Sequence, residues 1–395
     1  MDTKKLRAWW WARQGLDGSL AGLRPDEVLA KAGWARSVAG VGPYLSLFAR
    51  AGTSRADVDA AIARLEIHEL PSARGCTYVL PASDFAIGLR AAQAFADAPI
   101  RQAEKLGVTA KELDTLCEAV LGALGKGPLG PDEIRKATGD ASRSLGEEGK
   151  KKGVGTTLPL ALGRLQALGE IRRVPSNGRL DNQRYDYTRW KDNPLRKYRG
   201  TIDDAQREIA ARFFRWVGPA TLGELQFFLG VGVKVSKEIA GALGLVPAEA
   251  GSDRLLLPDD AEAFRAFAVP KAKSAPVLVG SLDSISAARR DVRTLLDDAD
   301  VERKISVDRK VGTLGGLADL PSHAILDGGR LVGLWEYDFD AGEIAWASFV
   351  GKTKALEAAV ARTERYVRDE LGDARSFSLD SPKSRAPKLA ALRAL

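Results

Sequence analysis

Two cysteines, Cys76 and Cys117, and two histidines, His68 and His323, are all that the chain carries of either residue. So few thiols exclude a disulfide scaffold and fit a reducing, cytoplasmic setting. Each cysteine reads as a small buried hydrophobe. The same scarcity leaves no ligand set for structural zinc: "HEL" at 68–70 has Ser72 where a second zinc histidine would fall. A hydrolase elbow of the G-x-S-x-G type is missing. So is a phosphate-binding loop. "VGKT" at 350–353 has Trp346 where the first glycine belongs, and "GEEGKK" has Ser144 and Lys151 at positions needing Gly and Ser/Thr. No apolar run reaches membrane-crossing length, and the opening "MDTKKLRAWWWARQG" lacks a secretory signal pattern. The expectation is a protein without metal, small-molecule cofactor or membrane partner.

What is present is material for several cores. Apolar residues make up 45% of the chain and charged residues 28%, and 395 residues predict two to four domains. The net charge of +7 is concentrated. Residues 171–200 hold nine basic side chains against Asp181, Asp186 and Asp192, a local excess of six. A cationic segment of that density suits a polyanionic partner.

The clearest repeating pattern is three helical stretches followed by a strand hairpin. Residues 109–127 place Leu113, Leu116, Val120, Leu121 and Leu124 at helical spacing, 129–139 form a short second helix, and 155–174 a third that stops at Gly169. A strand, an Asn177-Gly178 turn and the strand "RLDNQRYDYTRW" follow, which predicts a wing. Looser copies lie before and after. The predicted class is α+β: three tandem winged helix-turn-helix domains (1–90, 91–200 with the basic wing, and 201–270), then a β-barrel-like domain with a terminal helix (271–395). In that last region 323–350 reads as a three-stranded meander, 268–276 as a linker by composition, and the glycine- and charge-rich 144–155 as a mobile loop.

The third helix of the middle unit offers only Arg164 and Gln166 to read base edges, whereas its wing is dense in arginine and aromatics. Phosphate contacts position a protein without reading sequence. The expected partner is therefore double-stranded DNA, bound by shape and charge through Arg172, Arg173, Arg179, Arg184, Tyr185, Arg189 and Lys191. A winged helix serving protein contacts, or a transcription factor with sequence readout, are the competing readings.

Five stretches carry a resemblance: "RQGLDG" at 13–18, "GWARSVAG" at 33–40, "ELPSARGCTYVLPASDF" at 69–85, "FFRWVGPATLGEL" at 213–225 and "HAILDGGRLVGLW" at 323–335. Together they resemble the AlkZ/YcaQ-type DNA glycosylases, which unhook bulky alkyl adducts and interstrand crosslinks. The resemblance implies a monomer acting on damaged duplex DNA and associated with the nucleoid. It places Arg74 at the tip of a hairpin that meets DNA. It also implies a Gln-x-Gln or Gln-x-Asp pair holding the attacking water; here the equivalent triplet is Arg36-Ser37-Val38. Glycosidic cleavage passes through an oxocarbenium-like transition state, which a cation at Arg36 opposes, and Val38 holds no water. Glu66, His68 and Glu69, close by in sequence, are the candidate substitutes for the missing catalytic pair. The functional expectation is a repair glycosylase, or alternatively a non-catalytic DNA-binding relative: a degenerate glycosylase, regulator or lesion-shielding factor.

Overall fold

The computed structural model describes residues 2–395 apart from 183, 272, 308, 309 and 378, with the side chains of 306, 307 and 310 also left aside. Positions 183 and 272, inside the expected wing strand and linker, thus lie outside the described residues.

The chain begins with four helices, α1 (Thr3–Arg13), α2 (Pro25–Ala32), α3 (Gly42–Ala51) and α4 (Arg55–Ala63), interrupted by the two-residue strand β1 (Ala35–Arg36). The hairpin β2 (Ile67–Pro71) and β3 (Thr77–Pro81) follows, giving a three-stranded sheet in the order β1-β3-β2. A long helix, α5 (Phe85–Glu104), leads to the middle unit: α6 (Ala110–Ala123), α7 (Pro131–Thr138), α8 (Gly146–Lys151), α9 (Leu158–Ala167) and the hairpin β4 (Ile171–Pro175) and β5 (Tyr185–Arg189). The third unit is α10 (Ile202–Val217), α11 (Leu222–Leu229), α12 (Val233–Ala242), the short pair β6 (Val246–Pro247) and β7 (Leu255–Leu256), and α13 (Pro258–Ala266).

Beyond it, β8 (Val277–Val279), short helices α14 (Ser284–Ala287) and α15 (Asp298–Val301), the ribbon β9 (Lys304–Val307) and β10 (Lys310–Thr313), and the meander β11 (His323–Asp327), β12 (Arg330–Asp338) and β13 (Glu343–Ser348) precede α16 (Lys354–Tyr366) and α17 (Pro382–Arg393). The main C-terminal sheet is antiparallel in the order β13-β12-β11-β8. The mixed α+β class and the helix-then-hairpin order match the sequence reading, and the meander turns fall at Gly328-Gly329 and Gly342, all with positive φ. Two local features differ. Residues 146–151 form a helix, with Lys150 and Lys152 reaching Glu147 and Glu148 at 2.7 and 2.8 Å. The second wing strand starts only at Tyr185, because residues 179–181 turn away to dock elsewhere.

Helix starts follow local chemistry. Thr109, Thr201 and Thr221 each accept from the backbone three residues on, reciprocated by Glu112, Asp204 and Glu224. Burial, in contrast, ignores the order of the units. One core joins α2, α3 and the first hairpin to Leu278, Ile325, Trp335 and Tyr366 of the C-terminal region, and another joins α1 to Leu256, Phe264 and Leu334. A third unites Leu70, Tyr78 and Leu80 with Phe213, Phe214 and Leu225. The middle unit builds a core largely its own. Among the described residues no helix is long and apolar enough to cross a membrane.

The joint between these cores is ionic. Arg50 on α3 donates from Nη1 and Nη2 to the two carboxylate oxygens of Asp283, both at 2.8 Å, with side chains only 2% and 1% exposed. Arg50 also donates to Gln14 at 2.9 Å, and Gln14 in turn donates to the carbonyl of Trp216 at 2.8 Å. Burial alone would raise the Asp283 pKa, but the Arg50 charge and hydrogen bonds outweigh it and hold the carboxyl below the usual range. A depressed folded-state pKa means stability that is present above the unfolded carboxylate range and lost as pH falls through the folded value. Removing one partner of such a pair strands the other. Arg50→Ala is expected to lower the unfolding free energy by about 3–5 kcal/mol in denaturant titrations at pH 7, and the deficit should shrink in acid.

Candidate nucleic-acid pocket

Three strands position the site. Ala35 lies opposite Val79, which lies opposite Glu69; Arg36 lies opposite Tyr78, which lies opposite Leu70. Directly opposed residues share a face, and successive residues alternate. Arg36 and Tyr78 therefore point to one side of the sheet, and Glu69 and Thr77 to the other. A cavity opens on each side.

The first cavity, of about 350 Å³, is lined by Arg36, Val38, Trp34, Tyr78 and Arg74 of the first unit, Phe227 and Phe228 of α11, residues around 281–290 and 319–321, and Phe377 and Lys388. Its floor is aromatic: Trp34, Tyr78 and Phe228 lie with ring centroids 5.9–6.5 Å apart. The loop carrying the triplet is held shut from behind. Val41 N–H donates to the Arg375 carbonyl at 3.1 Å, and a Cβ on Gly40 would stand 2.2 Å from the Ser376 carbonyl oxygen, so only glycine fits there.

Positive charge dominates the walls. The Arg36 guanidinium lies over the Tyr78 ring at 5.2 Å, its Nη1 buried without a hydrogen bond of normal geometry, and no carboxylate pairs with it among the described residues. Phe227 is flanked by two guanidinium groups, Arg74 at 3.9 Å and Arg290 at 4.6 Å from the ring centroid. Both arginines occupy the left-handed backbone region, φ 55° and 52°, a strain of about 1–2 kcal/mol each. The one carboxylate lining the cavity among the described residues, Asp319, accepts from Arg290 at 2.7 Å. Ser37 points away from Arg36, with its hydroxyl buried. Arg36 has N–H donors for a water molecule but no acceptor to take its proton, Val38 has neither, and each cation about 6 Å from a developing oxocarbenium opposes it by about 3 kcal/mol at an effective dielectric constant of 20.

Glu66, His68 and Glu69 do not come together at this cavity, contrary to the expectation for substitute catalytic groups. Glu66 sits on the surface, held by Arg64 at 3.0 and 2.8 Å. His68 is sealed against Phe85 and Trp190. Burial, reinforced by the Arg172 charge, pushes its pKa down to about 3, so it is a neutral packing residue at ordinary pH. Glu69 lines the other cavity, because strand alternation turns it away from Arg36.

The basic wing also divides. Arg179 donates to Asp181 at 2.9 and 2.6 Å and to the Leu371 carbonyl at 2.8 Å, while Leu180 N–H donates to the Tyr44 hydroxyl. These contacts fasten the wing loop to the first and C-terminal regions, so Arg179 is structural. Arg172 lies over Trp190 at 5.5 Å, and Arg173 lies over Tyr185 at 5.2 Å with Nη1 3.8 Å from Glu69. Adjacent on one strand, they face opposite sides. Arg184, Arg189 and Lys191 are exposed, without an acidic side-chain partner among the described residues. Sequence reasoning missed Phe227 and Arg290, which lie far from the triplet in the chain; no local pattern marks them.

A family model described as DNA glycosylase AlkZ-like matches residues 40–377. Among solved structures, Streptomyces sahachiroi DNA glycosylase AlkZ is similar with a TM-score of 0.69 and 19% identity, over 95% of this chain and 98% of that one; at that identity the likeness is one of fold. No curated protein sequence matches.

Burial pushes the Glu69 carboxyl up to about 7, with Arg173 pulling the other way. A raised acid destabilises the fold as pH climbs from the unfolded value through the folded one. Glu69→Gln is therefore expected to raise the unfolding free energy by up to about 3 kcal/mol at pH 8 and to change it little at pH 4.5. Equal effects at both pH values in denaturant titrations would contradict a buried neutral acid.

Proposed function

The chain belongs to the AlkZ-like DNA glycosylase family, and on that premise we propose that it binds damaged duplex DNA as a monomer and holds a lesion in the Arg36 cavity without breaking the glycosidic bond. The observation that carries this reading is the combination of unpaired cation and aromatic floor at the position where the family's water-holding pair would stand. Aromatic faces stack on an unstacked base, and guanidinium groups meet phosphate. The same charges disfavour the hydrolytic transition state.

On this reading Arg184, Arg189 and Lys191 contact phosphates of duplex DNA in the cytoplasm, with Arg74 and Arg290 at the cavity mouth. Arg172, Arg173 and Tyr185 contribute mainly to wing packing. Hydrolysis of an N7-alkylpurine is the second reading, favoured by Asp319, the carboxylate in the cavity wall. That leaving group is already positive and needs less help.

Two measurements separate the readings. Duplex affinity should fall linearly in log–log form with salt, and Arg184→Ala with Arg189→Ala should reduce the slope by about two; a flat salt response would remove the phosphate-binding claim. Wild-type protein should release no base from N7-alkylguanine duplexes, whereas Arg36→Gln/Val38→Gln should gain abasic-site formation, with removal of the cation alone worth ~100-fold. Efficient release by wild type, abolished by Asp319→Asn, would overturn the non-hydrolytic reading in favour of the enzyme.

A further inference from the structure

The second cavity, of about 210 Å³, lies on the opposite face of the three-stranded sheet, between the β2–β3 hairpin, α5, α9 and β4. Its walls are mostly apolar, with Phe95 and Pro99 from α5 and Leu160 from α9. Of the polar side chains that break this lining, Glu69 and Arg173 carry buried atoms without a hydrogen-bond partner. Glu69 is 5% exposed, and its Oε2 has no hydrogen-bond partner; the Arg173 Nε is also buried without one. The nearest approach of the pair, Oε1 to Nη1, is 3.8 Å, too long for a hydrogen bond. A buried acceptor and a buried donor thus stand side by side at a cavity, each with unused capacity. Native interiors rarely leave such groups unmet.

We propose that this cavity is a binding site for a small planar heterocycle with a lactam edge, an N–H beside a C=O. The N–H donates to the Glu69 carboxylate, the C=O accepts from Arg173, and the ring fills the apolar space against Phe95 and Leu160. Nucleobases of the guanine and hypoxanthine type carry that edge; adenine does not. The source is either a free base or a base presented by a strand, and the chemistry at the carboxylate is the same. The site is separate from the Arg36 cavity and does not depend on the function proposed for it.

The charged and titratable groups around Glu69 are few. β4 brings Arg173, α9 brings Arg164 (itself 2.8 Å from Asp114), and β5 brings Tyr185 and, opposite Arg173, Tyr187. The α5 residues at the cavity are apolar, and β3 presents Thr77. Ligand N–H groups favour the ionised carboxylate, so binding near pH 7 should expel a fraction of a proton from Glu69.

Isothermal titration of the full chain with guanine, hypoxanthine and adenine, repeated in two buffers of different ionisation enthalpy, tests this. The expected result is saturable binding of the lactam bases with proton release, and at least tenfold weaker binding of adenine. Glu69→Gln should abolish the proton release and weaken binding at least tenfold. Gly163→Leu, at a helical position where an added Cβ meets nothing within 4 Å, should block the cavity while leaving the fold intact. A parallel titration with a dG-containing single strand distinguishes the sources: competition with free guanine indicates a strand-borne base, and no competition indicates the free heterocycle. Absence of hypoxanthine binding at millimolar concentration, or binding indifferent to both variants, would overturn the proposal.

Discussion

The bidentate Arg50–Asp283 pair fixes how the rest of the molecule is assembled. It is almost wholly buried and joins residues 233 positions apart, and its surroundings are polar by necessity. Gln14 bridges Arg50, Ser284 and the Trp216 carbonyl, so α1, α3, α10 and the start of the C-terminal region meet at one point. Nearby, Trp10 lies between two guanidinium groups, Arg254 at 5.1 Å and Arg289 at 3.3 Å. A buried pair is a poor source of net stability but a strict geometric constraint, because any misregister leaves a charge without its partner. That constraint sets the relative placement of the elements that wall the Arg36 cavity: the first hairpin, α11 and residues 281–290.

Strand alternation then divides the chemistry. A three-stranded sheet with one cavity on each face cannot pool its polar residues into one site. Arg36 and Glu69, two strands apart, look like neighbours in a sequence reading. The pleat separates them, and each is left to a different environment: Arg36 to a cavity with an aromatic floor, Glu69 to one walled by α5, α9 and β4. The same rule splits Arg172 from Arg173. A carboxylate on the Arg36 face would have neutralised the cation and brought the site closer to a glycosylase's needs; the carboxylate carried by the three strands, Glu69, is on the wrong side of the sheet.

Much of the fold was legible. The helix that starts at Thr109, the wing turn at Asn177-Gly178 and the meander turns all depend on local chemistry, which a sequence carries openly. What failed depends on distant partners. The strand at Ala35–Arg36 is two residues long and exists because β3 offers it an edge. Residues 179–181 read as a wing strand, yet Leu180 is more stable in the core beside Tyr44, and Asp181 neutralises Arg179. Nine basic residues between 171 and 200 therefore overstate the charge available to a partner. Counting charges along a chain cannot distinguish a guanidinium turned to water from one stacked on Trp190 or tied to a carboxylate.

The two arginines around Phe227 carry this argument furthest. Glycine would occupy φ near +55° without penalty, and most residues avoid it. At both Arg74 and Arg290 a strained backbone position presents a guanidinium to the same ring, from points 216 residues apart in the sequence. A packing role alone would not require charge at either position, since an aliphatic side chain could cover Phe227 at no greater backbone cost. Strained residues persist where the surrounding structure over-determines them, and such places cluster at ligand sites. Cations placed over an aromatic ring at the mouth of a cavity suit an anion that arrives already attached to a flat ring, which is the chemical description of a nucleotide.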